Sequence, residues 1–320
     1  MARYLARRLL FAVLLVAVAS SAAFVLTRLA PGDFASELFG VSGGAGAMAV
    51  ERARQGLDRP LAVQYVAWLG RAVRLDLGTS LLYRRPVTEL LGQRVVNTAV
   101  LAVVALLLAT IAGLPAGVFT GSRRGGLAPG AVRLVSLLFL SLPPLVTSLV
   151  LVLIAARTGW FPMGGMLSAS SGIDGSLAWI GDLARHLALP ALALALPLAA
   201  TLERLQSQAM AEAIEQPFTL AALARGVPRG RVVWRHALRA SLTPVTSVYG
   251  YVFGALLSGS LIVEVVTAWP GLGRLMYEAI RARDLYLVAG CAAAGSVFLA
   301  VGSLASDLAL AWADPRVRRA

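Results

Sequence analysis

The chain has 320 residues, is 58% hydrophobic and has a mean hydropathy of +0.77. Several apolar runs of about twenty residues cannot all be buried in one soluble core, so an ordinary soluble domain is excluded and a polytopic helical membrane protein is expected. The 29 basic residues are all arginine, outweigh 16 acidic ones to give a formal charge of +13, and are scattered between apolar runs. That pattern suits lipid headgroups and partner surfaces rather than nucleic acid.

The residue inventory also excludes chemistry. A phosphate-binding loop of the common ATPase type needs a lysine on the nucleotide phosphates, and this chain has none. Cys291 stands alone in an apolar run, which rules out an internal disulfide or a thiolate metal site and leaves a packing role. No metal site is expected.

In chain order, Arg3, Arg7 and Arg8 precede an apolar run over residues 9–29. The run is too long for a typical cleaved signal, so a retained first span is expected, with the N-terminus in the cytoplasm by the positive-inside rule. Arg28 to Asp33 (RLAPGD) closes it, and a more polar extracytoplasmic segment follows over 30–96. Within that segment, 42–47 (SGGAGA) reads as a loop. Tyr65, Val66, Trp68, Leu69 and Val73 suit an amphipathic helix over 61–75, either lying on the outer surface or seating an extracytoplasmic partner.

A second span is predicted over 97–120, followed by a cytoplasmic loop carrying Arg123, Arg124 and Arg133. The third, over 134–156, contains Pro143 and Pro144; these remove backbone donors and should kink it, for packing or to shape a translocation path. The outer loop over 157–185 holds Gly159, Trp160, Phe161 and Pro162. The fourth span covers 186–205, with Pro190 and Pro197 inside. Glu203 and Arg204 at its inner end read as a solvated terminus.

The cytoplasmic loop over 208–243 contains the most informative stretch, 217–244 (PFTLAALARGVPRGRVVWRHALRASLTP). Pro217 suits a helix start, and Gly226 with Pro228 beyond suits a stop. A second helix should carry Arg231, Arg235 and Arg239 on one face, for lipid phosphates, with Val233, Trp234, Ala237 and Leu238 opposite. Thr243 should then cap a fifth span over 245–266, whose Gly250, Gly254, Ser258 and Gly259 allow close helix approach. An outer segment over 269–284, a sixth span over 285–312 and a tail with Arg316, Arg318 and Arg319 complete the chain, so both termini are expected inside. Glu264 and Asp307 are the acidic residues predicted within the last two spans. Glu264 lines the path, pairs with an arginine such as Arg274, or reaches the interface; Asp307 is read as a packing or near-interface residue.

Taken together, these segments resemble the inner-membrane permease subunit of a binding-protein-dependent ABC importer of the dipeptide and oligopeptide type. The resemblance rests on the order of RLAPGD at 28–33, GLDRPLAVQYVAWL at 56–69, DLG at 76–78, GWFP at 159–162, HLALPALALALPL at 186–198, the stretch 225–238, VEVVTAWPGLGRL at 263–275 and DPR at 314–316. It implies one all-α transmembrane permease domain over 1–320, with six spans, in the bacterial cytoplasmic membrane. It also implies a coupling helix between spans four and five that docks on a separate ATPase, through Phe218, Ala221, Ala222, Arg225 and Gly226. The implied partners are a second homologous permease, two ATPase subunits that bind the ATP and magnesium, an extracytoplasmic solute-binding protein and the lipid membrane. No cofactor is expected in this chain.

Ser207, Leu220 and Leu223 stand where the family commonly has charged residues, which makes the predicted docking face more apolar. Glu264, as a path residue, would favour a peptide's amino group. Relatives with the same pattern carry nickel chelates, glutathione or sugars, so cargo stays open. Two other classes fit poorly. An intramembrane serine hydrolase needs a buried histidine, whereas His186 and His236 are predicted near opposite membrane faces. A self-contained secondary transporter would show internal repeats.

Overall fold

The computed structural model describes residues 2–39, 45–54, 56–123, 125–168 and 176–313. Among them the chain is helical, without a strand; Thr79 and Pro86 form an isolated antiparallel bridge. The helices are α1 (Ala2–Leu29), α2 (Phe34–Phe39), α3 (Ala45–Arg54), α4 (Leu61–Ala72), α5 (Val87–Gly121), α6 (Leu127–Ser141), α7 (Pro144–Thr158), α8 (Ser176–Glu215), α9 (Pro217–Ala224), α10 (Arg229–Arg231), a π-helical turn (Val232–Ala237), α11 (Leu238–Val266), α12 (Leu272–Arg281) and α13 (Leu285–Ala313). Four are long and apolar enough to cross a membrane, and the number rises to six if each of two bent pairs forms one span. The chain is thus an integral membrane protein with four to six candidate spans.

It divides into two compact units, residues 1–98 with 270–300, and residues 99–269 with 301–320. In the first, Phe24 of α1 packs its ring 5.1 Å from Trp68 and 5.7 Å from Tyr65 of α4. Trp68 is buried, while Val66 and Val73 are exposed; the amphipathic helix therefore turns its aromatic face inward, onto α1.

The RLAPGD turn is held by polar contacts. Arg28 Nη2 donates to the Leu57 carbonyl at 2.6 Å. Asp33 and Ser36 cap α2 reciprocally, with Ser36 N–H on Asp33 Oδ1 and Asp33 N–H on Ser36 Oγ. Arg52 Nε reaches Asp33 Oδ2 at 2.6 Å. Burial pushes the Asp33 carboxyl up, but the hydrogen bond and charge of Arg52, with the Ser36 contacts, bring it below the ordinary carboxylate range.

Asp284, fully buried, organises a second polar cluster of this unit. Its Oδ2 accepts from Ser80 Oγ at 2.6 Å and Leu82 N–H at 3.0 Å, and its Oδ1 accepts from Leu287 N–H at 3.1 Å at the start of α13. Burial raises its pKa, and these donors oppose that rise. Nearby, Tyr83 donates its hydroxyl hydrogen to Glu278 Oε2 at 2.5 Å; burial, then the hydrogen bond and charge of Glu278, push the phenol up to about 12. Arg274 pairs with Glu278, at 2.9 Å.

In the second unit, Leu101, Ala105 and Ala109 of α5 pack with Leu194, Leu198 and Leu202 of α8, and with Val252, Leu256 and Val263 of α11. Gly113, Gly117 and Gly121 form a four-residue repeat facing α8. A Cβ at these positions would lie 2.6, 2.6 and 2.3 Å from the carbonyls of Ala199, Glu203 and Ser207, so the two backbones touch there.

Several predicted boundaries and contacts are corrected. The third span is not a kinked helix: α6 and α7 meet at 105°. A residue before proline is driven out of the helical region, and with two successive prolines both Leu142 (φ −90°, ψ 118°) and Pro143 (φ −60°, ψ 149°) are extended. Conversely, Thr243 caps nothing, since α11 continues through Pro244 from the π turn. The fourth span lies within a 40-residue helix that runs on to Glu215. The segment over 269–284 contains helix α12, with Leu272, Leu275 and Ala279 on its buried face. Of the loop predicted at 42–47, residues 42–44 lie outside the described residues, and Ala45 already begins α3. Arg124, the tail arginines, the surroundings of Gly250 and the side chains of Ser258 and Asp307 are also outside them.

Candidate functional site

The site begins where α8 ends. Pro217 forces Gln216 into extended geometry (φ −65°, ψ 144°) and then starts α9 at its first position, where a missing N–H is harmless. Thr219 is fully buried and donates its hydroxyl hydrogen to the Ala213 carbonyl at 2.8 Å, which ties the new helix to the end of the old one. Ala222, one turn on, is buried at 1% exposure.

Termination matches the expectation from Gly226. Gly226 N–H bonds to the Leu223 carbonyl and Val227 N–H to the Ala222 carbonyl, a Schellman arrangement that requires the left-handed conformation glycine adopts here at φ +79°. The helix is therefore anchored along Thr219 and Ala222 and turned outward along the rest. Phe218, Leu220, Ala221, Leu223, Ala224 and Arg225 are exposed, with Leu220 at 53%.

Behind α9, Val118, Met210, Ala213, Val233 and Ala237 form a small apolar cluster joining α5, α8 and the π turn. The π turn changes which residues face it. Val232, Val233 and Ala237 are buried, whereas Trp234, predicted on the apolar face, is 57% exposed. The wider turn explains this: an inserted residue rotates the following side chains relative to an α-helical wheel. Arg231, Arg235 and Arg239 are all exposed, as an outward basic stripe requires.

Placement of the other predicted residues is mixed. Ser207 belongs to α8, where its carbonyl meets Gly121, and so is not on the exposed face of α9 as Leu220 and Leu223 are. Glu264 is fully buried. Arg274, its predicted partner, forms an ion pair with Glu278 at 2.9 Å. Pro143 is exposed, and Pro144 lies against Gly259 of α11, whose added Cβ would stand 3.6 Å from the ring.

Glu203, predicted to be solvated, is buried at 4% exposure and accepts a 2.5 Å hydrogen bond from Thr120 Oγ1. One turn along, Gln206 donates from Nε2 to Ser241 Oγ at 2.8 Å and so links α8 to α11. Sequence reasoning missed this polar seam. The four-residue glycine repeat on α5 was the available signal, because it marks the face that α8 approaches.

Chemically, the arrangement offers an anchored, outward apolar knob with an arginine at its end. Among the described residues no group of three His, Cys, Asp or Glu side chains is placed to hold a metal. His186 is buried with Nδ1 2.9 Å from the Asp182 carbonyl oxygen, at the N-terminal part of α8, and His236 lies in the π turn.

Comparison with known proteins finds relatives along nearly the whole chain. Residues 113–319, which include α9 and its support, match the model of the binding-protein-dependent transport system inner membrane component. Residues 1–80 match that of the N-terminal part of the same system's membrane component. The chain is 32% identical over 321 residues to the oligopeptide transport system permease protein AppB of Bacillus subtilis, and 35% identical over 327 residues to the corresponding protein OppB of Mycobacterium tuberculosis; each alignment covers 99% of both proteins. A helical membrane protein with an anchored surface knob, matched to one family along nearly its whole length, is thereby placed: the chain belongs to the family of binding-protein-dependent transport system inner membrane components.

Proposed function

We propose that this chain is the permease subunit of an ATP-driven importer for di- and oligopeptides, and that it forms half of the translocation pathway beside a second, homologous permease. Six spans, counting α6 with α7 and the helix from Arg229 to Val266 as one each, put residues 30–96 outside, the 208–243 loop inside and both termini in the cytoplasm. Arginine placement supports that orientation, since Arg123, Arg225, Arg229, Arg231 and Arg235 all fall on the side assigned to the cytoplasm.

The observation that carries the reading is the outward apolar face of α9, held on an internal anchor at Thr219 and Ala222. Such a knob is built to be gripped. Two separate ATPase subunits bind ATP and magnesium, and each grips the coupling helix of one permease. Their closure favours one orientation of the pathway, and α9 passes that difference on as a rigid-body movement. An extracytoplasmic solute-binding protein delivers cargo to the outer face. The names of AppB and OppB support peptides as that cargo.

Uptake into proteoliposomes tests this. With the second permease, the ATPases, the binding protein and ATP, labelled peptide should accumulate; without the ATPases it should not. Accumulation that persists without ATPase subunits would overturn the reading.

A further inference from the structure

Beside α9 there is a second surface with a different chemistry. The loop after α5 and the segment after α9 enclose an open groove of about 670 Å³, with Arg123 and Arg229 on its sides and Val233 and Trp234 along it. The two cations are fixed from behind. Arg123 lies 4.1 Å over the Phe119 ring, and Arg229 Nη2 donates to the Ser122 carbonyl at 3.1 Å. Among the described residues no acidic side chain lines the groove, so neither charge meets a lining carboxylate there.

An exposed indole next to two fixed guanidinium groups, at the end of a membrane-spanning helix, matches an amphipathic anion. We propose that this groove binds the phosphate headgroup of an anionic phospholipid of the cytoplasmic leaflet, with Arg123 and Arg229 on the phosphate and Trp234 against the glycerol and upper acyl region. An acidic protein segment would answer the two charges but would leave the exposed indole of Trp234 unmatched. The groove shares Val233 with the cluster behind α9, so an occupied site would brace the support of the docking helix. The choice of leaflet rests on the topology proposed above; binding is read on the chain alone, so a failed lipid test leaves the importer reading intact.

The test uses the full chain in phosphatidylcholine nanodiscs with increasing phosphatidylglycerol, scored by retained lipid in native mass spectrometry and by the unfolding midpoint. Phosphatidylglycerol should be retained and should raise the midpoint. Arg123→Gln with Arg229→Gln should weaken retention roughly 30-fold, from about 1 kcal/mol per arginine near a charged lipid surface. The paired lysine variants should keep most of it, and Trp234→Ala should weaken it without loss of insertion. Arg157→Gln with Arg185→Gln, two exposed arginines outside the groove, should stay within about two-fold, which separates a site from diffuse surface charge.

Equal losses in the two double glutamine variants would overturn the proposal. So would inorganic phosphate alone reproducing the midpoint shift, or lipid retention unchanged while association with the ATPase is lost. If the glutamine variant fails to insert, the wild-type comparison decides, and equal retention of phosphatidylglycerol and phosphatidylcholine would refute the site.

Discussion

Thr120 donates its hydroxyl hydrogen to the buried Glu203 carboxylate across 2.5 Å, joining α5 to α8 where their backbones are closest. A carboxylate at 4% exposure depends on its donors, because a buried charged acceptor without a partner retains its full desolvation penalty. Thr120→Val should lower stability by about 1–3 kcal/mol, while Thr120→Ser should stay near wild type. Thermal unfolding of the purified protein in detergent checks both, and a neutral valine variant would show that the bond contributes nothing.

The glycine repeat on α5 makes a paired prediction. Gly121→Ala would place a methyl 2.3 Å from the Ser207 carbonyl oxygen and 2.8 Å from Met210 Cβ. Backbone cannot move aside as a flexible side chain can, so a loss of roughly 1–3 kcal/mol is expected. Gly92→Ala, on the same helix with nothing within 4 Å of the added methyl, should be neutral or stabilising by up to about 1 kcal/mol. Unfolding midpoints of the two variants should move in different directions or by clearly different amounts.

Gly226→Asp should leave insertion intact and uncouple transport. The structure sharpens the reason. Nothing lies within 4 Å of an added Cβ, so the difficulty is the left-handed backbone at φ +79°, which disfavours a side chain by roughly 1–2 kcal/mol. Gly226→Asn, which tolerates that conformation better, should retain more coupling than Gly226→Asp or Gly226→Ala. Substrate-stimulated ATPase activity in the reconstituted complex orders the three; identical activity in all of them would remove the helix stop from the mechanism.

For Asp33 the folded pKa is depressed, so its contribution to stability is present above the unfolded value and is lost as pH falls through the folded one. The unfolded reference is about 3.9. The difference in unfolding midpoint between wild type and Asp33→Asn should therefore be constant from neutral pH down to about 5 and should close below about 4. A gap that persists through that range would mean that the Arg52 pair is not its source.

Burial of Glu264 at 0% exposure changes what its substitution should do. Glu264→Ala should lower the unfolding midpoint, since it removes a buried side chain and its polar contacts. The relative uptake of a peptide panel by the folded fraction should not change. A shifted peptide preference with unchanged stability would return this residue to the translocation path.

Much of the architecture was legible because it depends on properties local in sequence. A twenty-residue apolar run must satisfy its backbone within a helix in lipid, and Pro217 with Gly226 marks a short helix through backbone geometry alone. The start and stop of α9 followed from such rules. What the tertiary structure alone decided was which side of each helix is covered. Thr219 and Ala222 turn inward while Leu220 and Leu223 turn outward; Trp234 is turned out by a π turn that no residue pattern announces; and Glu203 and Glu264, ionisable residues that suggested solvent or a pathway, are buried. Periodicity sorts apolar from polar faces, but in a membrane protein both lipid-facing and protein-facing surfaces are apolar, so the pattern cannot tell them apart. Contact between α5 and α8, set by three glycines meeting three carbonyls, supplies that distinction and fixes the platform on which α9 stands.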